Sequence, residues 1–184
     1  MADVSVRAAV PDDVTAIAAV QAAAWKANYA GLLPADVLAD LDSPEALEQW
    51  RQAVTSPPSP RHRVLAALAG PEVVGFAAFG PAEDPDLDAA VDAELAALSV
   101  SPDRTRAGHG SRLVNATVDH LVGDGFLHAH VWLAAAGAGD DLLHRFLTDA
   151  GWAADGARRE LDLHGDASLV VPQLRLRAAI GTEE

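Results

Sequence analysis

The stretch from Ala93 to Leu121 reads AELAALSV, SPDRTRAGHG, SRLVNATVDHL, and it limits the fold more than any other part of the chain. Its first segment has the length and pattern of a strand, and its last has helical periodicity. Between them, Gly108 and Gly110 let the backbone turn tightly and approach a ligand closely. The next apolar segment, LHAHVWLAA at 127–135, is a further strand. A strand, glycine turn, helix and strand in that order form a right-handed crossover between parallel neighbours.

The flanking segments predict a mixed sheet and the α+β class. VSVRAA reads as a first strand. Pro11, Asp12 and Asp13 then open a helix at the positions where proline and acids are favoured, with Ile17, Val20 and Ala24 toward the core. A second helical region spans about Pro34 to Val54 and ends at the proline-rich SPPSP. HRVLAALAG and EVVGFAAFG form a hairpin turned at Gly70 and Pro71, which makes part of the sheet antiparallel. In the helix after the glycine loop, Val114, Val118, Leu121 and Val122 are expected on one face, with Gly123 and Gly125 ending it. A short helix from about Asp140 to Ala150 and strands around Ala153 to Leu163 and Leu169 to Arg177 complete the chain.

At 184 residues, half of them hydrophobic, the chain suits a single domain over 1–184 with a packed core. A formal charge of −14 excludes a general nucleic-acid binder, which needs a broad basic surface to displace counterions. The absence of cysteine removes disulfides, thiol nucleophiles and thiolate metal sites. The opening MADVSVRAAVPDD has no long apolar run, so neither a secretory signal nor a membrane span is expected, and the expected location is cytoplasmic.

Against that acidic background, residues 101–112 hold Arg104, Arg106 and Arg112 against Asp103, a local charge of +2. A basic glycine turn at a helix N-terminus suits phosphate. A Walker loop would need lysine followed by serine or threonine after the glycine, where Ser111 and Arg112 stand. A dinucleotide fingerprint would need a third glycine at Leu113. Neither pattern is present.

What remains resembles the GNAT superfamily of acyl-coenzyme A dependent N-acetyltransferases. The residues that carry the likeness are AELAALSVSPDRTRAGHGSRLV at 93–114, supported by VRAAVPDD, WKANYAGLLPADVL and DDLLHRFLTDAGW in the right order. The resemblance implies an α/β/α GNAT fold, with a mixed, mostly antiparallel sheet of about six or seven strands and helices on both faces. It implies acetyl-coenzyme A as cosubstrate and no metal, with the pyrophosphate on the backbone N–H groups around Arg106, Ala107, Gly108, His109, Gly110 and Ser111. The pantetheine arm would pair with the main chain of Leu98, Ser99 and Val100 as an added strand, where one N–H polarises the thioester carbonyl. Asp140 stands where the family often has asparagine and would touch the coenzyme. Thr105 replaces the family's usual glutamine or arginine three residues before the first glycine, a contact that Arg104 or Arg106 could supply.

Transfer to an amine requires a free lone pair, hence a proton acceptor. Glu94 matches the position of the general base in part of the family, with Asp92 as its substitute. Alternation places Glu94 on the face of Leu98 and Val100 unless a bulge intervenes. Trp25 and Tyr29 fall in the region that walls the acceptor pocket. The family's tyrosine, which protonates the leaving thiolate, is replaced by Leu147 in FLTDAGW. That leaves water or His144 as the acid. His128 and His130 share a strand face, a spacing more often structural than metal-binding. The six acids of PAEDPDLDAAVDAE at 81–94 either attract a cationic amine or form a solvated loop. The acceptor is a small-molecule or peptide amine, with no nucleic acid or membrane partner, and a homodimer is an admissible assembly. A non-catalytic acyl-coenzyme A sensor is the alternative, consistent with Leu147 and Thr105.

Overall fold

The structure is a computed structural model, and the residues it describes are 4–135 and 141–182. Seven strands form one sheet in the order β1-β2-β3-β4-β5-β7-β6. They are β1 (Val4–Ala8), β2 (Arg63–Ala69), β3 (Glu72–Pro81), β4 (Asp92–Val100), β5 (His128–Ala134), β6 (Ala153–Asp162) and β7 (Val170–Ala179). The helices are α1 (Val14–Tyr29), α2 (Ala35–Asp40), α3 (Pro44–Thr55), α4 (His109–Gly123) and α5 (Asp141–Asp149). Among the described strands only β4 and β5 pair in parallel, and α4 is the crossover between them. The other pairs are antiparallel, because each is joined by a short turn or a return connection.

The entry to α1 is fixed by charge. Arg7 on β1 grips Asp13 with two hydrogen bonds, at 2.6 and 3.0 Å, and the N–H of Val10 donates to the same carboxylate at 2.8 Å. The helical region expected over 34–54 is two helices. Ser43 caps the second, accepting from the Ala46 N–H at 3.1 Å, and Pro44 occupies its first position. Proline there removes no intrahelical bond but disfavours helical backbone at the residue before it, so the chain breaks at that point.

Apolar residues cover both faces of the sheet. Leu113, Val114 and Leu121 of α4 pack with Leu147 of α5 and with Trp152 on Leu65, Phe79, Leu95 and Val131. On the other side Val14, Ile17, Val20 and Trp50 cover Val64 and Phe76, and Trp50 meets Phe76 edge-on with centroids 4.7 Å apart. The buried face of α4 is turned slightly from the expected one: Leu113 and Thr117 are buried, while Val122 is 45% exposed.

Where α1 and α3 leave the sheet uncovered, toward β5 and β7, a polar network takes over. Asp92 Oδ1 accepts from His128 Nδ1 and His130 Nε2, each at 3.0 Å, and Asp92 Oδ2 accepts from the Asp88 N–H at 2.9 Å. Arg175, 5% exposed, donates to Asp155 at 2.7 Å and to Asp86 at 2.6 and 3.0 Å. Trp132 Nε1 donates to Asp84 at 2.8 Å. These bonds hold the β3–β4 connection down on the sheet.

Burial holds the His130 imidazole below its ordinary pKa, outweighing the pull of Asp92 in the other direction. The folded state therefore prefers it neutral, whereas an unfolded histidine takes up a proton near pH 6.5. Stability from this group is present above that value and falls as pH drops through it. Denaturant midpoints measured between pH 7.5 and 5.5 are expected to fall in the wild type and to fall less in His130→Gln, which keeps a donor for Asp92 but cannot titrate. An identical pH slope in the two proteins would rule His130 out as the source.

Candidate acceptor cleft and coenzyme cradle

The site begins with one extra residue. In the β3–β4 ladder Ala78 faces Ala97 but Phe79 faces Leu95, so Ala96 has no partner and β4 bulges there. A bulge reverses which residues share a face. Leu95, Leu98 and Val100 pack toward α4, while Ala97 packs toward α1 and α3. Glu94 therefore lies on the face opposite to Leu98 and Val100; simple alternation is overturned here and the bulge is the reason. Beyond the bulge β4 and β5 also part. They pair only at Asp92–His128, Ala93–Ala129 and Glu94–His130, although both strands continue. The β5-facing edge of β4 from Leu95 to Val100 thus has no strand neighbour among the described residues.

At the open end of this gap the chain enters α4. Arg106 (φ +62°) and Gly108 (φ +81°) both lie in the left-handed region, and Gly108 precedes the first helical residue. The N–H groups of His109, Gly110 and Ser111, in the first turn, have no acceptor within the helix. Residues 102–108 are exposed. Arg104 is held by Glu72 at 2.8 Å, and Arg112 donates to the Ala107 carbonyl at 3.3 Å. Arg106 has no such partner among the described residues. A Cβ on Gly110 would lie 3.6 Å from Phe146, in ordinary contact, whereas one on Gly108 would be 2.8 Å from the Arg112 guanidinium and strained by its φ.

His109 reaches this loop only through its backbone. Its side chain is 3% exposed, its Nδ1 is buried without a partner, and burial lowers its pKa, helped by Arg112 and Arg104. Asp140 lies outside the described residues.

On the α1 and α3 side of the bulge are two adjoining cavities that share Ala53, Ala78 and Ala96 in their lining. The smaller, about 260 Å³, is lined by Glu94, Glu83, His62, Arg63, Phe79 and neighbouring residues. The larger, about 690 Å³, runs along α3 past Trp50 and Ala97 to Gln21, Glu45 and Asp40. Trp25 and Tyr29 stack on each other at the end of α1, with centroids 5.0 Å apart. Neither lines these cavities; α1 contributes Gln21, which accepts from Trp50 Nε1 at 2.7 Å. Alternation and motif spacing carried no signal for Ala96, Gln21, Trp50 or Asp40, because these positions are defined by a bulge and by helix docking.

Glu94 is half-buried, and its carboxylate makes no hydrogen bond or ion pair among the described residues. Burial raises its pKa; Arg159 opposes this and Asp84 and Glu83 add to it. Four other acids of the 81–94 stretch are already engaged by the protein. Asp84 and Asp86 are held by Arg175, Asp88 by the Ala90 N–H, and Asp92 by the two histidines. The acidic connection is therefore mostly structural, and Glu83 and Glu94 remain for the cavity. No group of three or more potential ligands suited to a metal occurs among the described residues.

Comparison with known proteins bears on the family and the fold. Residues 24–152 match the model of the acetyltransferase (GNAT) family. The uncharacterized N-acetyltransferase YuaI of Bacillus subtilis (strain 168) is 30% identical over 130 residues, 71% of each chain. Among solved structures, the PaiA N-acetyltransferase of Thermoplasma acidophilum, in complex with coenzyme A, superposes with a TM-score of 0.76 at 16% identity, covering 96% of this chain and 99% of that one. The ribosomal-protein-S18-alanine N-acetyltransferase of Escherichia coli gives 0.65 at 14% identity, covering 98% and 96%. A matched family model over most of the chain, a curated relative and a shared seven-strand fold lead to one conclusion: this chain belongs to the GNAT family of acetyltransferases.

Proposed function

We propose that the protein transfers the acetyl group of acetyl-coenzyme A to a primary amine by direct attack of the amine on the thioester. The observation that carries this reading is the placement of Glu94: an unengaged, half-buried carboxylate at the point where β4 and β5 part, facing a cavity.

The coenzyme has a matching cradle. The unpaired edge of Leu98, Ser99 and Val100 offers main-chain groups to an extended arm. The first-turn N–H groups of α4 and the free Arg106 guanidinium suit a pyrophosphate, since backbone donors and helix dipole both favour negative charge. In the reaction the acceptor ammonium gives a proton to Glu94, directly or through water. Its nitrogen then bonds to the thioester carbon, the C–S bond breaks, the sulfur leaves as thiolate, and the nitrogen releases its second proton to water, leaving a neutral amide. A main-chain N–H of β4 stabilises the oxyanion. Because burial raises the Glu94 pKa, the carboxylate is a better base than an exposed glutamate.

Leu147 has no place in the proton inventory. It is 0% exposed within the α4–α5 core. A thiol of pKa about 8.5 leaves tolerably as thiolate with water as the acid. The buried leucine also favours the rival reading, a coenzyme-binding module without transfer, and turnover of any amine excludes that.

Three outcomes test this reading. Gly108→Val is expected to abolish the thermal stabilisation by acetyl-coenzyme A, while Gly110→Ala retains it, since only Gly108 has a positive φ. Equal shifts in both would mean that the cradle is elsewhere. Glu94→Gln is expected to lower transfer by about 10²-fold near neutral pH and to recover toward wild type at high pH, where the amine is already neutral. A wild-type rate at all pH values would remove Glu94 from the mechanism. Leu147→Tyr is expected to overpack the core, with a loss of stability of about 1–3 kcal/mol in denaturant titration and no rise in kcat. A clear gain in kcat would show that a hydroxyl can reach the sulfur from there.

A further inference from the structure

An acceptor ammonium must lose two protons before a neutral amide remains, and the Glu94 carboxylate has room for one. A second group able to take a proton stands beside it. Gly80 on β3 is the direct partner of Glu94 on β4, so the two positions share a face of the sheet, with Cβ positions about 5 Å apart. Gly80 carries no side chain, and an imidazole takes that place. A Cβ on Gly80 would lie 2.5 Å from His62 Cδ2 and 3.0 Å from His62 Nε2. The glycine thus admits the His62 ring against the strand, next to Glu94. Both residues line the smaller cavity, whose volume of about 260 Å³ leaves room for water between them.

The ring is held by its other nitrogen. The His62 N–H donates to the Ser59 carbonyl at 3.0 Å, and Nδ1 meets Ser59 Oγ at 2.8 Å. Oγ also accepts from the Arg61 N–H at 3.2 Å, and its second lone pair is open to Nδ1–H. In that tautomer Nε2 keeps its own lone pair, and it has no hydrogen-bond partner among the described residues. The charged groups in the same lining are Glu94, Glu83 and Arg63, the last engaged by Asp124. His130, the neighbour of Glu94 on β5, is not open to the cavity in this way: it is 2% exposed and its Nε2 is bound to Asp92.

We infer that His62 is the second proton acceptor of the transfer. The assignment rests on the reading that transfer occurs at Glu94. Glu94 takes the first proton and frees the lone pair that attacks. Once the N–C bond has formed, the nitrogen gives its second proton to a cavity water, which passes a proton to His62 Nε2. The C–S bond breaks, the amide leaves neutral, and the imidazolium returns its proton to solvent. Removing that second proton stops the nitrogen from departing again in place of the sulfur, so His62 acts on the transfer step.

The test compares variants at fixed pH in dilute buffer, with acetyl-coenzyme A and a panel of primary amines. His62→Gln keeps a donor for Ser59 but cannot take a proton. Its kcat is expected to fall by roughly tenfold, less than the 10²-fold or more of a direct base because solvent still reaches the cavity. KM for acetyl-coenzyme A is expected to stay the same. His62→Ala is expected to fall likewise and to recover as imidazole is added, while the wild type does not respond; a purely structural role would give no such rescue. Gly80→Ala, which displaces the ring, is expected to match His62→Gln although both His62 and Glu94 are intact. A wild-type kcat in His62→Gln, or a His62→Ala rate indifferent to imidazole, would overturn the assignment and leave Glu94 standing. Glu94→Gln at the wild-type rate, beside an imidazole-dependent His62→Ala, would uphold His62 and overturn the role of Glu94. Absence of transfer to every amine would overturn both.

Discussion

One unpaired residue, Ala96, sets which way the side chains of β4 point on either side of it. A regular β4 would carry its pairing with β5 along its length, and Glu94 would share a face with Leu98 and Val100. The bulge changes the second and lies where the first ends. It turns Glu94 toward the cavities on the α1 and α3 side, and just beyond the last parallel pair it coincides with the parting of the two strands. The strand whose edge is left unpaired is thus also the strand that presents an unengaged carboxylate to the cavity. The two requirements are met on opposite sides of the same few residues.

The position of α4 follows from topology. A parallel pair requires a crossover, and a right-handed crossover returns the chain over one face. The helix N-terminus therefore sits at the end of β4 where the gap is open. Leu113, Val114 and Leu121 hold it on the sheet, and the left-handed backbone at Arg106 and Gly108 aims its free N–H groups outward. The acidic composition of the chain does not cancel the positive potential at this helix N-terminus, because that potential comes from local backbone dipoles and a few arginines rather than from net charge.

Much of this could be read from the chain before any coordinates. The crossover, the hairpin at Gly70 and the glycine turn announce themselves through periodicity and residue type, since local backbone chemistry decides them; the family resemblance singles out Glu94, and alternation alone puts it on the wrong face. Other features are set by tertiary packing and left no local trace. Nothing in AELAALSV marks Ala96 as unpaired. Nothing in the helical pattern of 34–54 gives the cleft its Asp40 and Glu45, except the Ser43–Pro44 break that separates them. The acid-rich 81–94 stretch had two readings, and Arg175, some ninety residues downstream, decides between them for Asp84 and Asp86.

The short parallel pairing has a bearing on cooperativity. Among the described residues, β4 and β5 pair in the sheet at three register positions only, so the sheet has a seam that the α4 core covers on one face. Side chains from both banks, Asp92 on one and His128 and His130 on the other, bind across it. Hydrogen-bonded units of a fold open with separate free energies when few contacts join them. The amide of His130, on the same side of β5 as the His128 N–H that donates to Val91, thus sits where the two banks meet, and its exchange with solvent reports how often the sheet parts along the line that carries Glu94.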